Sequence, residues 1–306
     1  WRRMGPSERG GKLRAFADAL EEMKDEIILV ESHDNGKTPF EAGIDVGMVI
    51  DTFRYYAGWT EKVEGEQIPV EDGRLNYTKR DPVGVTAHIS PWNYPFQLAG
   101  RSVAPALATG NSVVLKPSSV TPLSALYYAK AAEQAGLPDG VVNVIPGSGS
   151  GAGSALSSHE DVDHVTFTGS TAAGRDVAAT AGEHLTDASL ELGGKNAAVV
   201  LADADPETTA RGLVNAGYAN AGQLCISTER VYVERDAYES VLAAFVAATE
   251  RRDLGATYDF GPDVGSLIGA EQLATVQSHV ADARDRGATV EIGGEHRPDV
   301  GPYFFE

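Results

Sequence analysis

The single cysteine of this 306-residue chain, Cys225, lies in Gly222-Gln223-Leu224-Cys225-Ile226-Ser227. One thiol forms no internal disulfide and cannot build a Cys-rich zinc site, so neither a disulfide nor a metal centre is expected. Two readings remain, a packed inert side chain or a nucleophile. The local sequence favours the nucleophile. Asn220-Ala221-Gly222-Gln223 reads as a loop and Ser227-Thr228-Glu229-Arg230-Val231-Tyr232-Val233 as a strand, which presents the thiol on a turn.

A nucleophile that attacks a carbonyl needs a base and a donor for the oxyanion. Glu191 closes an apolar strand and precedes Gly193-Gly194. A half-buried carboxylate at such a place has a raised pKa and suits general-base work. Glu191 also lies about 20 residues beyond Gly169, the spacing of a ribose-binding acid in dinucleotide sites. Both roles stand open on spacing alone. Asn93, in Ser90-Pro91-Trp92-Asn93-Tyr94-Pro95, can offer its amide to an oxyanion or simply form a turn between prolines.

Anion-binding chemistry has its own candidates. Lys116-Pro117-Ser118-Ser119 falls where a strand ends and a helix is about to begin, the end at which open α/β sheets bind ligands. Gly169-Ser170-Thr171-Ala172-Ala173-Gly174 joins a strand to a helix, whose N-terminal N–H groups can meet a phosphate. Its glycine spacing is incomplete for the usual dinucleotide fingerprint. Gly147-Ser148-Gly149-Ser150-Gly151 is a second glycine-rich strand end.

The elements that must hold these residues follow from periodicity. Ser7 is expected to cap a first helix, a second is expected over residues 24–35, stopped by Gly36, and a third from Pro39 to about Trp59. Residues 75–80 alternate as an exposed strand, an arm suited to pairing with another subunit. From Val83 strands and helices alternate: strands over 83–89, 112–116, 141–145, 164–168, 188–192 and 197–201, with helices opening at Thr121-Pro122 and after Gly169. This rhythm predicts a doubly wound parallel sheet. A second unit begins near Gly193, with a helix from Asp205-Pro206, the strand 230–233, and helices over 236–252 and 270–286.

Composition narrows the function further. The net charge is −19 and no Lys/Arg cluster is visible, which argues against a nucleic-acid partner. No apolar run is long enough to span a membrane, and no membrane partner is expected. A lone cysteine fits a reducing cytoplasm. The acidic residues are dispersed, a pattern that predicts better stability when salt screens their mutual repulsion. Unfolding followed at low and at molar salt tests this; equal stability in both contradicts it.

Six motifs then converge. Pro-Trp-Asn-Tyr-Pro at 91–95, Pro-Ala-Leu-Ala-Thr-Gly-Asn at 105–111, Lys-Pro-Ser-Ser at 116–119, Phe-Thr-Gly-Ser at 167–170, Leu-Glu-Leu-Gly-Gly-Lys at 190–195 and Gly-Gln-x-Cys at 222–225 stand in one order. In order and spacing the chain resembles the aldehyde dehydrogenase superfamily over essentially its whole length. The resemblance implies a doubly wound α/β cofactor domain (1–62 and 82–192), an oligomerisation arm (63–81) and a catalytic α/β domain (193–306), truncated at its end. It implies Cys225 as the nucleophile toward an aldehyde, Asn93 and the Cys225 N–H as oxyanion donors, and Glu191 as the base for thioester hydrolysis. NAD or NADP would be held by Trp92, Lys116, Ser119, Gly149, Gly169, Ser170 and Leu192. Relatives that favour NAD often carry Glu where Ser119 stands, so NADP is expected to be accepted. A homodimer or homotetramer is implied for the full-length form.

Departures accompany the resemblance. Many relatives have Lys where Ser102 stands, and the family chain is longer at both ends. The Glu-x2-Phe-Gly-Pro segment that binds the nicotinamide ribose is missing, as is the last strand that pairs with the arm. The alternatives are an inactive nucleotide-binding fragment and a cysteine hydrolase, which would need a histidine beside Cys225. The identity of the aldehyde stays open, because residues 101–105 resemble members acting on aromatic aldehydes and residues 55–59 those acting on aliphatic ones.

Overall fold

A computed structural model describes residues 1–257 and 261–306. They form two compact units, Trp1–Val30 with Gly43–Leu192, and Glu31–Ala42 with Gly193–Glu306. Helices α1 (Pro6–Glu22), α2 (Lys24–Asn35) and α3 (Pro39–Ala57) open the chain. Pro6 takes the first helical position and Gly5 the cap, so Ser7 lies inside the first turn rather than capping it. Gly36 ends α2 with a φ of 90°, a left-handed stop that glycine adopts without a Cβ clash.

Strands β1 (Gln67–Ile68) and β2 (Asn76–Tyr77) pair antiparallel in a short ribbon, and residues 61–81 are exposed throughout. The main sheet follows: β3 (Val85–Ile89), β4 (Ser112–Lys116), β5 (Val142–Val144), β6 (His164–Thr168) and β7 (Asp187–Glu191). Their spatial order is β5-β4-β3-β6-β7, and every pairing is parallel. The chain therefore starts in the middle, winds outward to β5, and returns to lay β6 on the other side of β3. That reversal is a topological switch point, where doubly wound sheets open a crevice beyond the strands' carboxyl ends.

Helices α4 (Pro95–Ala108), α5 (Leu126–Gln134), α6 (Ser154–Ser157) and α7 (Thr171–Glu183) connect these strands. Among the helices, Phe16 stacks on Phe53 with ring centroids 4.4 Å apart, and Tyr128 donates to the Phe96 carbonyl at 2.7 Å. A second cluster packs Ala87, Ile89, Leu156, Val165, Phe167 and Ala181. The helix expected at Thr121-Pro122 starts only at Leu126. Residues 121–125 instead run through turns, with the N–H groups of Leu126, Tyr127 and Tyr128 each reaching the carbonyl three residues back. Thr121 and Ser124 are fully buried there, so packing overrides the cap signal.

His88 sits in the middle of this sheet at 2 % exposure. Thr86 donates its hydroxyl to the Ser112 carbonyl, so the contact at 2.9 Å requires His88 Nε2–H to donate to Thr86. Nδ1 is buried without an acceptor for a second proton. Burial, followed by the neighbouring His164, pushes the pKa down to about 3. The unfolded chain takes up this proton below about 6.5, whereas the native one does not, so stability falls as pH drops through that window. The expected slope from this one group approaches about 1.4 kcal/mol per pH unit. Urea unfolding at pH 7, 6 and 5, compared with His88→Leu, checks it; parallel pH dependences in the two proteins contradict it.

In the second unit β8 (Asn196–Val200) pairs in parallel with β9 (Thr228–Val233), with a register shift between Asn196 and Ala197. Helices α8 (Pro206–Tyr218), α9 (Tyr238–Glu250) and α10 (Ala270–Asp285) complete it. Asp205 caps α8 by accepting the Thr208 N–H at 2.8 Å. Val200, Leu213, Ala237 and Val241 form one small core, and Ala210, Val214 and Ala248 a second. The runs over 188–192 and 197–201 therefore belong to two different sheets, β7 closing the first and β8 opening the second.

Candidate active site

The candidate residues of the first unit gather at one end of its sheet. Trp92 and Asn93 follow β3, Lys116 ends β4 and Ser119 follows it, and Gly149 follows β5. Gly169 and Ser170 follow β6, while Glu191 and Leu192 close β7. All nine thus lie at carboxyl ends of parallel strands, on both sides of the switch point. The strand ends are tied together: the Ser90 N–H donates to the Lys116 carbonyl at 3.1 Å, and the Gly169 N–H to the Glu191 carbonyl at 3.0 Å.

Lys116 is only 2 % exposed, and burial lowers the pKa of its ammonium. Its Nζ donates to the Pro117 carbonyl, leaving further ammonium hydrogens for other acceptors. Its stem runs beside Gly153, in the π-helical turn Gly149–Gly153 that Ser148 caps by accepting the Gly151 N–H at 3.0 Å. Ser170 caps α7 by accepting the Ala173 N–H at 3.2 Å. Gly174, one turn into α7, has Leu192 against it: a Cβ there would meet Leu192 Cδ2 at 2.5 Å. These features fit a dinucleotide, with a buried ammonium for ribose hydroxyls, glycine turns for close approach and a helix N-terminus for phosphate.

Glu191 differs from expectation. Its side chain is 60 % exposed and lies 3.8 Å from Arg101 of α4. β7 is an edge strand whose alternate residues face solvent, so its last residue is not half-buried.

In the second unit, Cys225 occupies a turn closed by the Ser227 N–H on the Leu224 carbonyl at 3.0 Å. The thiol is partly buried, and neighbouring Ile226 is 73 % exposed. Before it runs a left-handed stretch: Asn220 at φ 51°, Ala221 at φ 55° and Gly222 at φ 76°. Only three non-glycine residues among those described have positive φ, and two of them are here. A β-carbon in this region costs about 1–2 kcal/mol per residue, so other contacts must hold the loop.

Sequence reasoning passed over those contacts. Gln223 is buried, donates from Nε2 to the Asn220 carbonyl at 3.0 Å and accepts the Ile268 N–H at 3.0 Å. Ser227 donates to the Gly217 carbonyl at 3.1 Å. Asn196 donates from Nδ2 to the Cys225 carbonyl at 2.7 Å and to that of Ser227 at 3.0 Å. The register shift in β8–β9 falls at Asn196, a position where strand irregularities commonly re-aim a side chain. Gly194 is required nearby, since a Cβ would meet the Cys225 carbonyl oxygen at 2.9 Å. Arg230 fixes this segment by donating to the Lys195 carbonyl, and Lys195 pairs with Glu229.

The family model described as "Aldehyde dehydrogenase family" matches residues 1–306. A mitochondrial aldehyde dehydrogenase of Equus caballus is 40 % identical over 309 residues, covering 100 % of this chain and 61 % of its own. An aldehyde dehydrogenase of Agaricus bisporus is 39 % identical over 302 residues, covering 98 % and 60 %. The NAD+ complex of an aldehyde dehydrogenase from Bacillus cereus superposes with a TM-score of 0.96 at 40 % identity, over 100 % of this chain and 62 % of that one. An NADP-dependent enzyme of E. coli superposes at 0.97 and 34 % identity, over 100 % and 63 %. The chain spans about three fifths of the length of the relatives it matches.

Proposed function

The chain belongs to the aldehyde dehydrogenase family, and from that premise we propose that it oxidises an aldehyde to a carboxylic acid with NAD+ or NADP+, using Cys225 as the nucleophile. The observation that carries the reading is the arrangement of the first unit's motifs. Lys116, Ser119, Gly149, Gly169, Ser170 and Leu192 all stand at the carboxyl ends of one doubly wound sheet, where a dinucleotide binds.

The Cys225 thiolate forms an S–C bond to the aldehyde carbon while the carbonyl π pair moves to oxygen. That oxyanion is met by the Asn93 amide and the Cys225 N–H. Bound NAD(P)+ supplies the acceptor for the hydride that leaves the same carbon. The carbonyl re-forms and a thioester remains on Cys225. Glu191 takes a proton from water, whose oxygen attacks the thioester, and the S–C bond breaks to give acid and thiolate. The 60 % exposure of Glu191 leaves it open to water, which supports this role through access.

Lys116 and Ser119 address the adenosine ribose, Lys116 with its ammonium and Ser119 with a small neutral side chain. Ser119 is exposed at the end of β4 and places no carboxylate where a 2′-phosphate would sit. NADP is therefore expected to be used. Comparing kcat/KM for the two coenzymes checks this, and an NAD preference of about a hundredfold or more, near 2.8 kcal/mol, contradicts it.

We further propose the division of labour that the motifs suggest: 1–62 and 82–192 bind the coenzyme, 193–306 carries the nucleophile, and 63–81 is an arm for self-association into a homodimer or homotetramer. The exposed segment that carries β1 and β2 supports the last point, with Tyr77 of β2 at 64 % exposure and Leu75 just before it at 73 %. The reading as a whole is tested by aldehyde-dependent reduction of NAD(P)+, followed beside the formation of acid.

A further inference from the structure

The geometry points to Glu41 as a positioning residue for Cys225, acting through the left-handed stretch that precedes the thiol. This inference rests on Cys225 being the nucleophile. Glu41 lies in the first turn of α3, and its two carboxylate oxygens have separate tasks. Oε2 accepts the Thr38 N–H and the Thr38 hydroxyl, each at 3.1 Å, while the Glu41 N–H donates back to Thr38 Oγ1 at 3.3 Å. This is a reciprocal capping box, and it fixes the carboxylate in place. Oε1 accepts the Asn220 N–H at 2.6 Å, a short charge-assisted bond across 179 residues of sequence.

Asn220 is where the chain enters its left-handed stretch, and Ala221 follows at φ 55° with a β-carbon that this region disfavours. A loop of this shape persists only when its surroundings over-determine it. Gln223 and Ser227 hold its downstream end, and Asn196 holds the Cys225 carbonyl. Glu41 holds its entry. Without that acceptor the entry relaxes toward ordinary dihedrals, and the partly buried thiol becomes more exposed.

A cap residue with no other duty would give different results, and the single thiol makes the readout unambiguous. The rate of Cys225 alkylation by iodoacetamide, measured on the native chain from pH 6 to 9, reports the loop without requiring turnover. Failure of the proposed dehydrogenase activity would therefore leave this test intact. Glu41→Ala is expected to speed alkylation by about fivefold or more, because opening the loop exposes the thiol. Thr38→Ala, which weakens the cap but leaves Glu41 on Asn220, is expected to stay within about twofold of the parent. Ala221→Gly removes the cost of the left-handed residue, so adding Glu41→Ala to it should bring alkylation back to within about twofold.

Equal rates for Glu41→Ala and the parent overturn the proposal, as do equal effects of Glu41→Ala and Thr38→Ala. If Glu41→Ala alone does not fold, the double variant decides. A folded double variant with near-parent alkylation supports the clamp. One that alkylates far from the parent, or that fails to fold where Ala221→Gly folds, overturns it.

Discussion

Replacing Cys225 with Ser is expected to lower aldehyde-dependent formation of NADH or NADPH by roughly four orders of magnitude or more, as removal of a nucleophile does elsewhere. A hydroxyl is intrinsically a far weaker nucleophile than a thiol. The chain holds no second cysteine that could take over. Coenzyme binding should survive the change, because Lys116, Gly149 and Ser170 belong to the first unit's sheet ends and not to the Cys225 turn. Steady-state rates and coenzyme titration on the same preparation check both halves. A variant that keeps a tenth or more of the parent rate contradicts the proposed chemistry.

Glu191→Gln is expected to separate the two halves of the reaction. If Glu191 activates the water, steady-state turnover should fall by about a hundredfold to ten-thousandfold, the usual worth of a general base. The first turnover should still release reduced coenzyme as a burst close to one per active site, since in the proposed chemistry hydride transfer precedes hydrolysis. Glutamine keeps the size of the side chain and the hydrogen-bonding reach toward Arg101, so the exposed ion pair is not the main thing lost. Rapid-mixing absorbance of the reduced nicotinamide measures burst and steady rate together. Loss of the burst as well would assign Glu191 to thiol activation rather than to hydrolysis.

Different parts of this molecule were legible in the sequence to different degrees. The alternation of apolar strands and helices from Val83 onward reads directly as a parallel sheet, because the central strand β3 is nearly continuous in buried residues and most of the connecting loops carry Gly or Pro. The residues at the strand ends were legible for the same reason, since the end of a strand is where a motif must sit to reach a ligand. The start of α5 was not, because buried Thr121 and Ser124 follow tertiary packing rather than the local cap signal. Nor was the exposure of Glu191, which depends on β7 being an edge strand and not on its apolar composition.

The supports of the Cys225 turn were the least legible. Gln223 looks like part of a catalytic motif, yet its amide is spent on backbone groups at Asn220 and Ile268. Glu41 gives no local signal beyond a capping box, and its bond to Asn220 exists only because the fold brings Glu31–Ala42 into the second unit. Long-range contacts of this kind have no period and no spacing to read. The left-handed conformation of Ala221 is equally silent, since alanine is among the last residues a turn rule would place there.

The most direct test of the proposed chemistry is the intact mass of Glu191→Gln after one turnover with an aldehyde and NAD(P)+. A stable mass increase is expected, equal to an acyl group in place of the thiol hydrogen, mapped to Cys225 and matched by one reduced coenzyme per modified chain. Reduced coenzyme and acid formed in the parent protein with no acyl group ever trapped on Cys225, or trapped on another residue, would contradict it.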